Sequence, residues 1–327
     1  MTGSQTSFSE IEYSRRRKTT AREKFLTMMD EVVPWDEWTG LIEPHYYHNQ
    51  TGRPAIRLET MLRMYLVQCW FNLSDEATED AVYDSWSVRR FMGLDFGKEQ
   101  APDATTLLHF RHLLEEHQLG QALFEAQNRF FEEHGWVMRG GTVVDATIIS
   151  APSSTKNRAG ARDPEMHQTR KGKQWYFGMK AHIGVGAEDG YVHTVTVTPA
   201  NTSDIEQTVN LVRPDDDVVY GDAGYQGVDK RPEITGDPDL ANIEFRVAAR
   251  KSKLAAMPVF DQRLESRKAS VRSKVEHPFL IVKREFGFAK TRYRGIAKNL
   301  ERVSVLFASS NLLMRARAVR LMNVVRV

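Results

Sequence analysis

The sequence predicts an α/β protein in which an all-helical N-terminal part precedes a mixed sheet with flanking helices. Three observations predict it. Leu58, Met61, Leu62, Tyr65 and Leu66 recur at steps of three and four, the spacing of one helix face. After Gly140-Gly141 the texture changes to runs rich in Val, Ile, Thr and aromatic residues, at 142–150, 174–186 and 191–199. From residue 203 onward polar helical stretches alternate with short apolar ones, the pattern of a sheet carrying helices.

Taken in order, residues 1–22 are polar and carry Arg15, Arg16, Arg17 and Lys18, which suits a flexible basic arm and equally a solubilising tail. Residues 23–139 read as helices, with Ser74 and Asp103 placed as N-caps. Short helices joined by tight turns suit a helix-turn-helix-like DNA-binding domain, and a structural bundle nearly as well. Residues 140–327 form the sheet domain. "GAEDG" turns the second β-run into the third, so the three runs are expected to make an antiparallel meander. The 150–173 stretch reads as a long polar loop. A polar helix is expected at about 203–213, a strand at 218–221, a helix after Gly224, a strand at 243–249, and a long basic helix from near 261. No internal repeat is present.

Composition narrows the class. The chain has 327 residues, 41% hydrophobic and 27% charged, a globular balance. No apolar run approaches the ~18 residues of a membrane helix, and the polar N-terminus is no secretory signal. Cys69 is the single cysteine, which excludes an internal disulfide framework and a Cys-rich zinc site and fits a reducing cytoplasm. The net charge of +2 conceals a segregation: residues 203–244 sum to −8 and residues 266–327 to +12. A basic C-terminal fifth suggests a polyanionic partner, DNA or RNA.

Three carboxylates stand out against this background. Asp145 interrupts an apolar strand, where a charge is costly unless paired or bound to metal. Asp222 ends the short run 218–221, a position that suits a metal ligand or a helix N-cap. Glu276 lies in the most basic segment. Carried on two strands and a helix, the three can converge at one sheet edge and bind two Mg²⁺ ions through oxygen. Arg272, Glu276 and Lys283, spaced 4 and 7 apart, fall within roughly 40° on a helix. Two cations would then flank the carboxylate and hold phosphates, although Arg272 and Glu276 also suit a plain i,i+4 ion pair. Pro278 interrupts the helical phase between them. Lys171, Lys173, Lys180 and His182 alternate with Trp175, Tyr176 and Phe177, which suits a strand gripping a DNA backbone or stacking an unpaired base. The aromatics equally suit a strand with one buried face. Arg292 and Arg294 are further candidates for phosphate contacts.

"VDATII", "DAGYQG" and "RSKVEHPF…VKREFGFAKTRYRG" resemble the DDE transposases of bacterial insertion sequences, in particular the insertion-sequence-five family. The likeness extends to "LETMLRMY…NLSDEATEDAVYD", "PDATTLLHFRHLLE", "SSTKN…RDPEMHQTRKGKQWYFGMKAHIG" and "ANTSD". The resemblance implies a ribonuclease-H-like fold and an enzyme that binds the terminal inverted repeats of its element, cleaves the DNA ends and joins the 3′-OH to target DNA. It implies Asp145, Asp222 and Glu276 as the catalytic triad holding two Mg²⁺, with Mn²⁺ able to substitute. The partners implied are duplex DNA and a second copy of the chain on that DNA, with no membrane. In the family's helical signature a tyrosine stands three residues before the arginine; here Ala269 takes its place.

Overall fold

A computed structural model describes residues 16–46, 55–158 and 160–325. The basic arm expected at 1–22 lies outside the described residues up to Arg15; residues 16–20 precede the first helix without regular structure. Among the described residues, seven α-helices come first: α1 (Ala21–Val32), α2 (Trp35–Ile42), α3 (Leu58–Trp70), α4 (Asp75–Asp84), α5 (Trp86–Phe91), α6 (Ala104–Glu116) and α7 (Leu119–Glu133). Ser74 and Asp103 cap α4 and α6 by accepting the N–H groups of Ala77 and Thr106. Eleven of the thirteen residues of α3 are buried, which makes it the central helix of this part.

The sheet holds six strands: β1 (Gly141–Ser150), β2 (His167–Lys171), β3 (Gln174–Gly186), β4 (Val192–Pro199), β5 (Val218–Gly221) and β6 (Glu244–Val247). Its order is β2-β3-β1-β5-β6, with β4 beside the second half of β3. Strands β1, β3 and β4 form the expected antiparallel meander, and β5 and β6 add in parallel beyond β1. This mixed sheet with flanking helices has the ribonuclease-H-like arrangement.

One apolar cluster joins the helices to a face of the sheet, running from Leu26, Trp38 and Trp70 to Val143, Ile183 and Phe307. A smaller cluster, with Val144, Leu211, Val219 and Tyr225, covers the other face. The helix α9 (Ile296–Val325) unites the two parts by packing on both α7 and β4. The side-chain oxygen of Asn311 accepts from the Val192 N–H at 2.9 Å, while its amide donates to Val192 O at 2.8 Å and Gln127 Oε1 at 3.0 Å. Glu301 accepts the N–H of Gly120 at 2.7 Å.

The structure differs from the sequence expectation in four places. The polar loop 150–173 contains β2, which pairs with the first half of β3; β2 has no buried residue, so no apolar periodicity marks it. The helix expected at 203–213 is a 3₁₀ segment, Asp204–Asn210. No regular helix follows Gly224. Gly227, at φ +88°, and Pro232 divide that stretch into 3₁₀ turns and one helical turn, Pro232–Thr235. The basic helix, α8 (Val259–Arg272), gives way to a 3₁₀ turn (Ser273–Val275), a short α-helix (Glu276–Leu280) and a π-helical turn (Ile281–Glu285). Pro278 stands in the first turn of that short α-helix, where its missing N–H costs no bond within the helix but prevents α8 from running through unbroken.

Candidate active site

The ladder between β1 and β5 pairs Gly141 with Val218, Thr142 with Val219 and Val143 with Tyr220. Continued by two residues, it brings Asp145 level with Asp222. Paired residues of adjacent strands project to the same face, so both carboxylates lie on the side covered by the main core. The 3₁₀ turn Ser273–Val275 packs against β1, with Val275 and Phe279 anchored in that core. This brings Arg272 and Glu276 to the same end of the sheet.

The electrostatics follow from this placement. Burial raises the Asp145 carboxyl to about 6, with the charges of Asp222 and Glu276 adding to the rise; the Ala146 N–H and Arg272 oppose it. The Ala146 N–H reaches Asp145 Oδ1 at 2.7 Å. Asp222 Oδ1 accepts from Gly224 N–H at 2.7 Å and caps the turn Ala223–Tyr225, so Asp222 performs the capping role while presenting its second oxygen. Glu276 is exposed, and no ion pair joins it to Arg272. Arg272 is half-buried and its Nε has no hydrogen-bond partner, although its charge acts on Asp145. Ala269 is exposed on α8, which has no buried residue at all.

The other cations named from the sequence divide into two groups. Lys171 and Lys173 are exposed at the tip of the β2–β3 hairpin and have no ion-pair partner among the described residues. Lys283 is half-buried, and its ammonium donates to Ile148 O at 2.7 Å. Lys180 donates to Thr202 O at 2.7 Å and meets Asp204 at 2.8 Å. Arg292 binds the side chain and main chain of Asn72, and Arg294 donates to Arg162 O at 3.2 Å. The donors of Lys180, Arg292 and Arg294 thus serve internal contacts. His182 is buried and His193 half-buried, both are bonded to threonines, and desolvation lowers them to about 4 and about 3, so both are neutral structural residues.

Two neighbours of the site were not singled out from the sequence. Tyr225 is buried with its hydroxyl unpartnered, near enough to Asp145, Asp204 and Asp222 to feel their charges. Asp204 closes an ion pair with Lys180 beneath it. Their signal was membership of "DAGYQG" and "ANTSD", motifs in which they are the less conspicuous residues.

A family model described as a transposase DDE domain matches residues 136–312, more than half of the chain. The chain belongs to the DDE transposases. A second model, described as a transposase domain, matches residues 14–113 and covers most of the helical part. No solved structure matches the chain. A DDE transposase is a metal-dependent enzyme that cleaves and transfers DNA, and no helix of the described residues is long and apolar enough to cross a membrane.

The donor set suits a divalent cation in one respect and is open in another. Two level aspartates, one of them pushed toward neutrality by burial and, to a lesser extent, by neighbouring carboxylates, are the hard oxygen donors that Mg²⁺ prefers. Among the described residues, however, no three His, Cys, Asp or Glu side chains stand close enough to hold a metal ion together. Asp145 and Asp222 therefore stand level at the end of the β1–β5 ladder, while Glu276 is exposed at the start of a separate short helix.

Proposed function

We propose that this transposase binds the terminal inverted repeats of its own element, cleaves the DNA ends and joins the freed 3′-OH to target DNA, using Asp145, Asp222 and Glu276 to hold two Mg²⁺ ions. The observation that carries the reading is the level placement of Asp145 and Asp222 together with the raised carboxyl of Asp145. Like charges held side by side in a half-buried site call for a cation. When bound, the ion pair supplies charge to the attacking and leaving oxygens of the phosphodiester exchange.

The chain's own residues supply the rest. The β1–β5 ladder fixes the two aspartates, and the Ala146 and Gly224 N–H groups orient one oxygen of each, leaving the other toward the ions. Glu276 supplies the third carboxylate from a segment fixed beside β1 by Lys274 and Lys283. Arg272, with a buried unpartnered Nε, and Lys283 hold phosphate oxygens beside the carboxylates, with Lys171 and Lys173 on the flanking backbone. Residues 23–139 read the repeat sequence, and two copies bring two ends together.

The test is cleavage of DNA carrying the short inverted repeats that flank this gene, in Mg²⁺. The wild-type chain is expected to cut at the repeat ends. Asp145→Asn, Asp222→Asn and Glu276→Gln are expected to lose at least about a thousandfold in cleavage while binding the ends as tightly as before. Substantial cutting by Asp222→Asn would refute the triad.

A further inference from the structure

On the β2–β3 hairpin, the proposed function gives Lys171 and Lys173 a role but none to the exposed Trp175 beside them. Every residue of β2 is exposed apart from half-buried Thr169, and Trp175, at the start of β3, is 64% exposed. An indole left in water at the end of a projecting ribbon marks a contact surface rather than a core. The ribbon carries Arg170, Lys171 and Lys173 and no acidic residue from 167 to 177. Its turn is rigid. Gly172 adopts φ +63°, Arg170 Nε donates to Gly172 O at 3.0 Å, and the Arg170 guanidinium lies 6.0 Å from the centre of the Trp175 ring.

The ladder relates this ribbon to the active site. Asp145 pairs with Ile183, Thr147 with Ala181 and Ile149 with Met179, so the alternation along β3 places Phe177 and Trp175 on the sheet face that bears Asp145. From Ile183 back to Trp175, β3 covers at most about 26 Å at ~3.3 Å per residue.

From this juxtaposition we propose that the β2–β3 hairpin enters the major groove of the bound DNA within about eight base pairs of the bond to be cut, at ~3.4 Å per base pair, with Arg170, Lys171 and Lys173 on the phosphates and Trp175 in the groove. A two-stranded ribbon fits the ~12 Å major groove of undistorted DNA, whereas the ~6 Å minor groove would have to be widened to take it. The proposal rests on the transposase reading above and assigns to it a second DNA contact outside the helical part.

The test uses the full-length chain on repeat-end DNA, with Asp222→Asn in place of the wild type so that the DNA stays uncut. Dimethyl sulfate reads guanine N7, which faces the major groove. Asp222→Asn is expected to protect guanines within about eight base pairs of the cleavage position. Adding Trp175→Ala is expected to expose them and to weaken end binding about tenfold, and Trp175→Phe to restore most of the protection. Trp175 is exposed, so unchanged melting temperatures would confirm that these variants fold. Guanines equally protected with and without Trp175, or protected only farther away, would overturn the hairpin assignment while leaving wild-type cleavage intact. Hairpin-dependent protection by a wild-type chain that never cleaves in Mg²⁺ would instead uphold the ribbon and overturn the catalytic reading.

Discussion

The ammonium of Lys283 donates to the main-chain oxygen of Ile148, three residues beyond Asp145 on β1, at 2.7 Å. Lys274 does the same at the other end of the segment, donating to Ala187 O at 2.5 Å and Glu188 O at 2.9 Å. The two lysines clamp the turn bearing Glu276 to the sheet, one on the catalytic strand and one on the β3–β4 connection. The exposed Glu276 carboxylate is thereby held, at the start of its short helix, near the end of β1 that carries Asp145.

Lys283 accordingly has two roles that one variant separates. Lys283→Met keeps the aliphatic stem and removes the donor, so stability is expected to fall by about 1–2 kcal/mol, the worth of a charge-assisted hydrogen bond. If the remaining N–H groups also hold a phosphate, the salt slope of DNA binding falls by about 0.9 as well. Thermal unfolding and salt titration read the two effects, and an unchanged slope leaves only the clamp.

Arg272 is expected to behave in the opposite way. Its Nε has no partner to lose, so Arg272→Ala is expected to change the melting temperature little and to reduce the salt slope by about 0.9. Its charge also opposes the rise at Asp145, so the variant's metal-dependent cleavage should require a higher pH than the wild type's. A lowered melting temperature with an unchanged slope would show that Arg272 only supports the fold.

The raised carboxyl of Asp145 gives a pH-dependent stability. Its native value of about 6 exceeds the ordinary 3.8, so the native state binds the proton more tightly and loses stability as pH rises from about 4 to about 6. Asp145→Asn is expected to be more stable than wild type by about 1–3 kcal/mol at pH 7.5 and equal to it below pH 4. Mg²⁺ is expected to raise the wild-type melting temperature and to narrow that gap. The same gap at both pH values would show that the site carries no charge strain.

At the seam between the helical part and the sheet, Gly120 allows a close approach. A Cβ there would stand 2.5 Å from Glu301 O and 2.8 Å from Glu301 Oε2. Gly120→Ala is expected to cost about 1–3 kcal/mol and, because one apolar cluster spans both parts, to lower a single unfolding transition. Two separate transitions, with only the helical one shifted, would show that the parts fold independently.

What the sequence by itself determined is the local and the periodic. The 3-and-4 spacing in α3, the caps Ser74 and Asp103, and the meander of β1, β3 and β4 were legible because side-chain period and turn chemistry are local properties. The motif residues of the site were legible by resemblance, yet their spacing could not say that the β1–β5 register sets Asp145 level with Asp222, because register belongs to the pairing. The hairpin strand β2 was hidden because a strand exposed on both faces has no apolar alternation. The basic C-terminal fifth was misleading as a count of DNA-facing charge. Arg317 pairs with Glu285, Lys298 with Glu115, and Arg302 is buried against Tyr293, while Arg292 holds Asn72. Apart from Arg317 and Glu285, which lie on neighbouring helical segments, these partners come from distant parts of the chain or from neutral groups. Only the tertiary structure could decide which cations remain free for DNA, since a charge is neutralised by what folds against it and not by what stands beside it in sequence.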